Sequence, residues 1–520
     1  MTSLFPTRAT RERFALLAIC LFFVSLVLTS NISIAQNAPS PDVSASSLED
    51  DYEKHVLPFL QDYCLDCHAG EDGEGGVNLE LLEQLQTTKE NLDLLGRVFG
   101  EVSDLRMPPD DADQPDQEER QYLNSWIRET VRKNTKIEST PARRLNRIEY
   151  ENSVRDLLKF NRNVFSNPAN ILLFDSYFQP HLQKMPKAII AASFFDWGHV
   201  GPGMKGVSTL PIDPPVEHGY NNDYRSLSIS PLLMENYLEV ADSIVKSPAF
   251  PRAAEVWDEL FVFEESATVE QNRELTSERL KKFLPRVFRR PIQDIDVEIF
   301  LKLFDEGVAK SGSCTEAMKT VMSGILVSPS FIFRDDYAPS LSQSARHNDF
   351  AMASRLSYFI WASTPDDELL SLAEEGKLRD PKILKHQVKR MLADKKCKSL
   401  ATDFGMQWLK VKKVNSAQPD KDQFPKYYQK RYPPPGVSMT IEQLLLFETV
   451  LVEDRSIIDF INADYGYLNR HLMHWYGLKP NELLKFMPHK QDAEDFIRIK
   501  WPNKHRGGVV SSGALSLIHI

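Results

Sequence analysis

The chain has 520 residues, 42% of them hydrophobic and 26% charged, and a formal charge of −11, an ordinary globular composition long enough for about three domains. The charge is unevenly placed: residues 49–133 hold 22 Asp and Glu against 8 Lys and Arg, a net −14, which leaves +3 for the remainder. An acidic block beside a near-neutral body argues against nucleic acid as a partner; it suits either a docking surface for a basic partner or a merely solvated face.

In chain order, Arg8, Arg11 and Arg13 precede an apolar run of 16 residues, Phe14 to Thr29, and Ser33-Ile34-Ala35 supplies a small–x–small cleavage pattern. This predicts a signal peptide over 1–35 and hence a periplasmic or secreted protein. The run is short of the roughly 20 residues a membrane crossing needs, so the membrane enters only if the signal stays uncleaved. Cys20 lies inside the run after Ile19, where a lipoprotein signal wants a small residue, and is discarded with it. No later stretch reads as long and apolar enough to span a bilayer.

A Pro/Ser/Ala linker over 36–47 leads to a first compact unit at 48–133. Its opening helix carries Tyr52, Val56, Leu60 and Tyr63 on one stripe. Its closing helix begins with Asp116 and Glu119 in capping-box spacing and buries Leu123, Trp126, Ile127 and Val131. A linker at 134–143 precedes a helix and loop module at 144–273, helical modules at 274–345 and 346–500, and a C-terminal module at 501–520 that reads as truncated after "HRGGVVSSGALS". Ser230 with Pro231, Thr364 with Pro365, and Thr440 with Gln443 are predicted helix starts. The expected class is mainly α: a small helical domain, then a multi-helical body with long Pro/Gly-rich loops.

The most unusual stretch is Cys64-Leu65-Asp66-Cys67-His68. A zinc site wants a second cysteine pair, and a thioredoxin-like pair wants a βαβ setting; neither is present. Covalent haem attachment accounts for every residue. Two thiols at this spacing meet the two vinyl groups, and the histidine immediately after falls beneath the iron as proximal ligand. The motif occurs once, so one covalent haem c is expected. Met107, 39 residues beyond His68 in "LRMPPDD", is the candidate distal ligand, presented on a loop stiffened by Pro108 and Pro109. The alternatives are an ordinary core methionine at 107 and His55 as the distal ligand. Gly75 and Gly76 would let backbone pass close to the ring edge.

Tyr63, Cys64, Cys67, His68, Gly75, Gly76, Leu79, Met107, Pro108, Pro109 and Trp126 together make this unit resemble a class I cytochrome c, more narrowly the planctomycete-type cytochrome c domain. The body resembles the large secreted planctomycete proteins built of domains of unknown function. The matching stretches include "RRLNRIEYENSVRDLL" (143–158), "HGYNNDYRSLSISPLLMENYLEVAD" (218–242), "LPRVFRRPI" (284–292), "ILVSPSFIFR" (325–334), "SRLSYFIWASTPDDELLSLAEEGKL" (354–378), "DFGMQWL" (403–409) and "LNRHLMHWYGL" (468–478). That resemblance implies no activity.

Elsewhere the candidates are weaker. His471 and His474 could share a metal on one helix face, or simply pack. Asp366 and Asp367 are explained by a helix N-terminus. His218, Asn222 and Asp223 lie in a loop of the kind that holds sites. Cys314 and Cys397 are a candidate disulfide in an oxidising compartment. The expected function is exported electron transfer with a redox partner that has a basic docking surface, leaving open whether the body is part of an oxidoreductase. The alternative is a protein that binds or hydrolyses a cell-surface or polysaccharide ligand, with the haem unit as redox sensor or tether.

Overall fold

The computed structural model describes residues 51–514 except 71–72, 84–87, 104, 135–141, 166–175, 191–202, 217–218, 335–344, 412–413, 415–416, 429–434, 479–494 and 502–505. The expected signal peptide, the 36–47 linker and most of the 134–143 linker lie outside the described residues. The chain is mainly α and divides into two compact units, one within Ser30–Glu138 and the other holding Ser139–Ile520.

In the smaller unit a π-turn at Tyr52–Val56 runs into the helix Leu57–Tyr63, and the one-turn helix Leu65–His68 follows directly. The helices Lys89–Ser103 and Gln117–Asn134 complete it. The opening stripe buries Tyr52, Val56 and Leu60, and the closing helix buries Leu123, Trp126 and Ile127 against them; Tyr52 and Trp126 pack with ring centroids 5.4 Å apart. The middle helix was not anticipated from sequence. Its Leu94, Leu95, Val98 and Val102 repeat at helical spacing and fill the rest of the core. Each such side chain contributes about 1.5–3 kcal/mol by leaving water.

Among the described residues, the larger unit has two large hydrophobic cores and a small third cluster of Leu446, Ala463, Tyr465 and Val509. In the first, the helices Arg147–Leu157, Pro231–Lys246, Val269–Phe288, Asp294–Ser311 and Cys314–Leu326 surround Tyr150, Tyr237, Phe304 and Met318. The last two of these helices form a hairpin through Gly312 (φ 67°). Their approach at Gly307 is so tight that a Cβ there would sit 2.9 Å from the Cα of Ala317. The second core gathers around the helix Pro435–Val452, with the helices Ala345–Ile360, Pro381–Ala393 and Arg470–Trp475. A small antiparallel sheet orders Ala188–Ile189, Phe496–Lys500 and Tyr465–Leu468 side by side, with Ala188 opposite Ile497 and Tyr465 opposite Lys500.

Ser230 caps its helix as expected, accepting from the Leu233 amide. Two other starts fall elsewhere. The helix after "STP" is capped by Asp366, which accepts from the Leu369 amide at 3.0 Å, while the Thr364 hydroxyl donates to the Arg286 carbonyl. Asp366 also carries an ion pair with Arg390 at 2.6 Å, which helps decide the competition between adjacent capping residues. Thr440 lies inside its helix, which begins at Pro435; its hydroxyl donates back to the Gly436 carbonyl. That helix is, contrary to expectation, long and apolar enough to cross a membrane by length and composition, but it is 94% buried as the core of the second cluster.

"RRLNRIEYE" is a buried ionic clamp. The Arg143 guanidinium grips the Glu149 carboxylate through both nitrogens at 2.6 and 2.7 Å, and Arg144 meets Asp213 at 2.6 Å. Burial alone would raise the Glu149 pKa, but Arg143 and then Arg334 hold it down to about 2. Arg143–Arg144 pairs as a strand with Phe333–Arg334, so the clamp joins the start of the body to residues nearly two hundred positions on.

Candidate functional site

The opening helix ends at Cys64, whose backbone (φ −128°, ψ −44°) leaves helical geometry before the next turn starts. The Cys67 and His68 amides both donate to the Cys64 carbonyl, at 3.4 and 3.0 Å, so the motif closes into one tight turn with both sulfurs and the imidazole on it. Cys64 is half-buried and Cys67 exposed, and both are free thiols. Burial, with the neighbouring Cys67 adding to it, pushes the Cys64 thiol up to about 12. The turn is pinned from outside by the Leu79 amide, which donates to the His68 carbonyl at 2.8 Å.

Between His68 and Leu79 the chain turns through Gly75 and Gly76, both left-handed at φ 67° and 68°, with open space where a Cβ would stand. The close approach is at Gly73, where a Cβ would lie 2.5 Å from the Val77 carbonyl oxygen.

Met107 follows the middle helix. Its amide donates to the Glu101 carbonyl at 3.2 Å, and the Arg106 guanidinium grips the Glu101 carboxylate at 2.7 and 3.0 Å, holding that carboxyl below its usual range. Met107 is 37% exposed, which removes the reading of an ordinary core methionine. Its carbonyl accepts from Arg120 at 3.0 Å, and Gln114 donates to the carbonyls of Pro108, Pro109 and Ala112. The predicted capping box is present: Glu119 accepts from the Asp116 amide and Asp116 from the Glu119 amide, each at 2.8 Å. Glu119 also accepts from the Tyr63 phenol at 3.1 Å. The first turn of the closing helix is therefore tied both to the residue before Cys64 and to the methionine loop. His55 is exposed beside the Tyr122 ring.

The donor set fits a covalently attached haem. Two free thiols and a histidine lie in one turn, which are the donor types that covalent haem attachment requires. Among the described residues, no group of three or more His, Cys, Asp or Glu is arranged to hold a metal ion.

Residues 64–111 match the family Planctomycete cytochrome C, a span that opens on Cys64 and takes in His68 and Met107. The smaller unit is a planctomycete-type cytochrome c domain. Behind this cytochrome domain, 143–174 with 200–248, 276–336 and 348–478 match three families each described as a protein of unknown function (DUF1587, DUF1595 and DUF1592). The chain thus joins a cytochrome c domain to a planctomycete series of modules whose function is unassigned. No curated protein and no solved structure matches it.

In the modules behind the cytochrome domain, His471 and His474 lie on the short helix Arg470–Trp475, and no third ligand joins them among the described residues. Cys314 opens a helix of the first core and Cys397 is buried in the second; both are free thiols, so the candidate disulfide is not formed. Asp223 grips Arg225 at 2.8 and 3.0 Å, and His218 lies outside the described residues. Three of the family-like stretches converge: the Phe404 ring packs against Tyr220, Phe359 and Trp408 with centroids 6.0–6.4 Å apart, and the Asn221 amide donates to Gln407.

Gln114 and Arg120 escaped the sequence reading. Both are polar residues in a polar stretch, and only the path of the methionine loop gives them a task.

Proposed function

We propose that the chain is an exported electron-transfer protein carrying one covalent haem c in its cytochrome domain. The attachment turn presents both thiols unpaired. Cys64 and Cys67 would hold the haem through thioethers to its two vinyl groups, a thiol addition that needs no oxidant. His68 would be the proximal ligand and Met107 the distal one. Thioether ligation favours the ferrous state and raises the potential. Haem held there would supply one-electron redox chemistry, and ligation by both His68 and Met107 would suit outer-sphere transfer rather than oxygen chemistry.

The observation that carries this reading is the double tie of the closing helix. Glu119 holds the turn next to the motif while Arg120 holds the methionine loop, so one rigid helix end positions both ligand-bearing segments. The arginine-headed apolar leader supports export, and the net −14 over residues 49–133 supports docking to a redox partner with a basic surface.

The deciding experiment is expression in a host able to attach haem, followed by denaturation in acid acetone. The red pigment is expected to stay with the polypeptide in wild type; pigment that washes into the solvent overturns the reading.

A further inference from the structure

We propose that Gln114 and Arg120 are positioning residues that set how firmly Met107 holds the iron. This rests on the reading of Met107 as distal ligand. Met107 sits on a loop and is 37% exposed, so the path of that backbone helps to place its sulfur. Backbone ties at either end are the Met107 amide to the Glu101 carbonyl, at 3.2 Å, and the Ala112 amide to the Pro109 carbonyl, at 3.0 Å. Pro108 and Pro109 have no amide hydrogen to donate, leaving their carbonyls as the only handles.

Two side chains take those handles. The Gln114 amide nitrogen lies 3.3, 2.7 and 3.2 Å from the carbonyl oxygens of Pro108, Pro109 and Ala112. Arg120 donates through one guanidinium nitrogen to the Met107 carbonyl at 3.0 Å and through the other to the Gln114 side-chain oxygen at 2.5 Å. Arg120 thus bridges the ligand residue and the amide that gathers the next carbonyls. It does so from the turn stapled by the Asp116–Glu119 capping box.

The bridge needs a planar fork with two diverging donors, which a lysine ammonium does not reproduce. Losing either member frees the loop to carry the sulfur away from the metal. Losing the charge-assisted bond is expected to loosen the ligand about tenfold.

The test is displacement of the distal ligand by added imidazole, followed by the haem spectrum in the full-length holoprotein. Arg120→Ala and Gln114→Ala should each bind imidazole about tenfold more tightly than wild type, and Arg120→Lys should recover only part of the difference. The double variant should fall short of the product of the singles, because the two share one network. Leu123→Ala, which opens the core under the same helix, should lower the unfolding temperature and leave imidazole affinity at the wild-type value. Met107→Ala is the reference, binding imidazole without competition. If Met107→Ala binds more tightly but neither clamp variant does, the clamp proposal is wrong and the ligand assignment stands. If Met107→Ala itself matches wild type, Met107 is not the distal ligand and both ideas fall.

Discussion

The Tyr63 phenol donates to the Glu119 carboxylate at 3.1 Å across 56 residues of chain. Tyr63 immediately precedes the first cysteine of the attachment motif, and the same Glu119 oxygen accepts from the Asp116 amide. One carboxylate therefore caps the closing helix and anchors the end of the opening one. Tyr63→Phe should remove a single solvent-exposed hydrogen bond and lower stability only slightly. Glu119→Ala should lose the tie and the reciprocal cap together, about 1–2 kcal/mol. Denaturant unfolding followed at Trp126 checks the order; equal effects would mean the phenol tie carries all of it.

At the cysteines, Cys67→Ala should leave one thioether and lower the yield of coloured protein, with the remaining pigment still attached through Cys64. Met107→Ala should convert the iron to a high-spin spectrum and lower its midpoint potential. Absorption spectra and a redox titration read both. An unchanged spectrum in Met107→Ala would move the distal ligand elsewhere, with exposed His55 the first to test.

The acidic character of residues 49–133 predicts salt-sensitive docking. Reduction by a basic redox partner should slow steeply between low ionic strength and 0.15 M, where the screening length is about 8 Å. Stopped-flow rates that stay flat across that range would assign the acidic face to solubility alone.

The Arg143–Glu149 clamp should make the body sensitive to acid. The Glu149 pKa is held at about 2 in the folded protein against 4.5 ordinarily. The carboxylate therefore contributes stability that is complete above pH 4.5 and fades as pH falls toward 2. Glu149→Gln removes the charge while leaving Arg143 and Arg334 buried, at a cost of about 3–5 kcal/mol near neutral pH. Thermal unfolding across pH 2–7 should show the gap between variant and wild type closing in acid.

Glu442 should act in the opposite sense. Burial raises its pKa to about 8, against the Tyr476 hydrogen bond and the Arg506 charge that pull it down. A raised carboxyl pKa means stability present below pH 4.5 and lost as pH climbs to about 8, because only the unfolded chain ionises freely. Glu442→Gln keeps a side-chain oxygen that can accept from Tyr476 and removes the titration. Its stability relative to wild type should rise by about 1.4 kcal/mol per pH unit over that window. A constant difference would show that Glu442 is ionised in the folded protein.

Much of the cytochrome domain was legible because its signals are local. The cysteine spacing, the apolar stripe from Tyr52 to Tyr63 and the Asp116–Glu119 box each depend on residues within a few turns of one another. Local signals were less reliable in the body. Thr364 and Asp366 are both good caps, and the ion pair to Arg390, 24 residues along, favoured Asp366. Thr440 and Gln443 have capping-box spacing, yet the helix starts earlier and buries both.

By itself, then, the order of residues determined the Cys64–His68 motif, the helical class and the helix starts at Asp116 and Ser230, because hydrogen bonds and side-chain periodicities within a few residues decide them. Only the tertiary structure decided that Met107 stands exposed on a loop tied by Gln114 and Arg120, and that "RRLNRIEYE" is a buried ionic clamp. A polar side chain carries no mark of its partner: whether it is solvated, structural or poised for function depends on which distant backbone folding brings within about 3 Å of it.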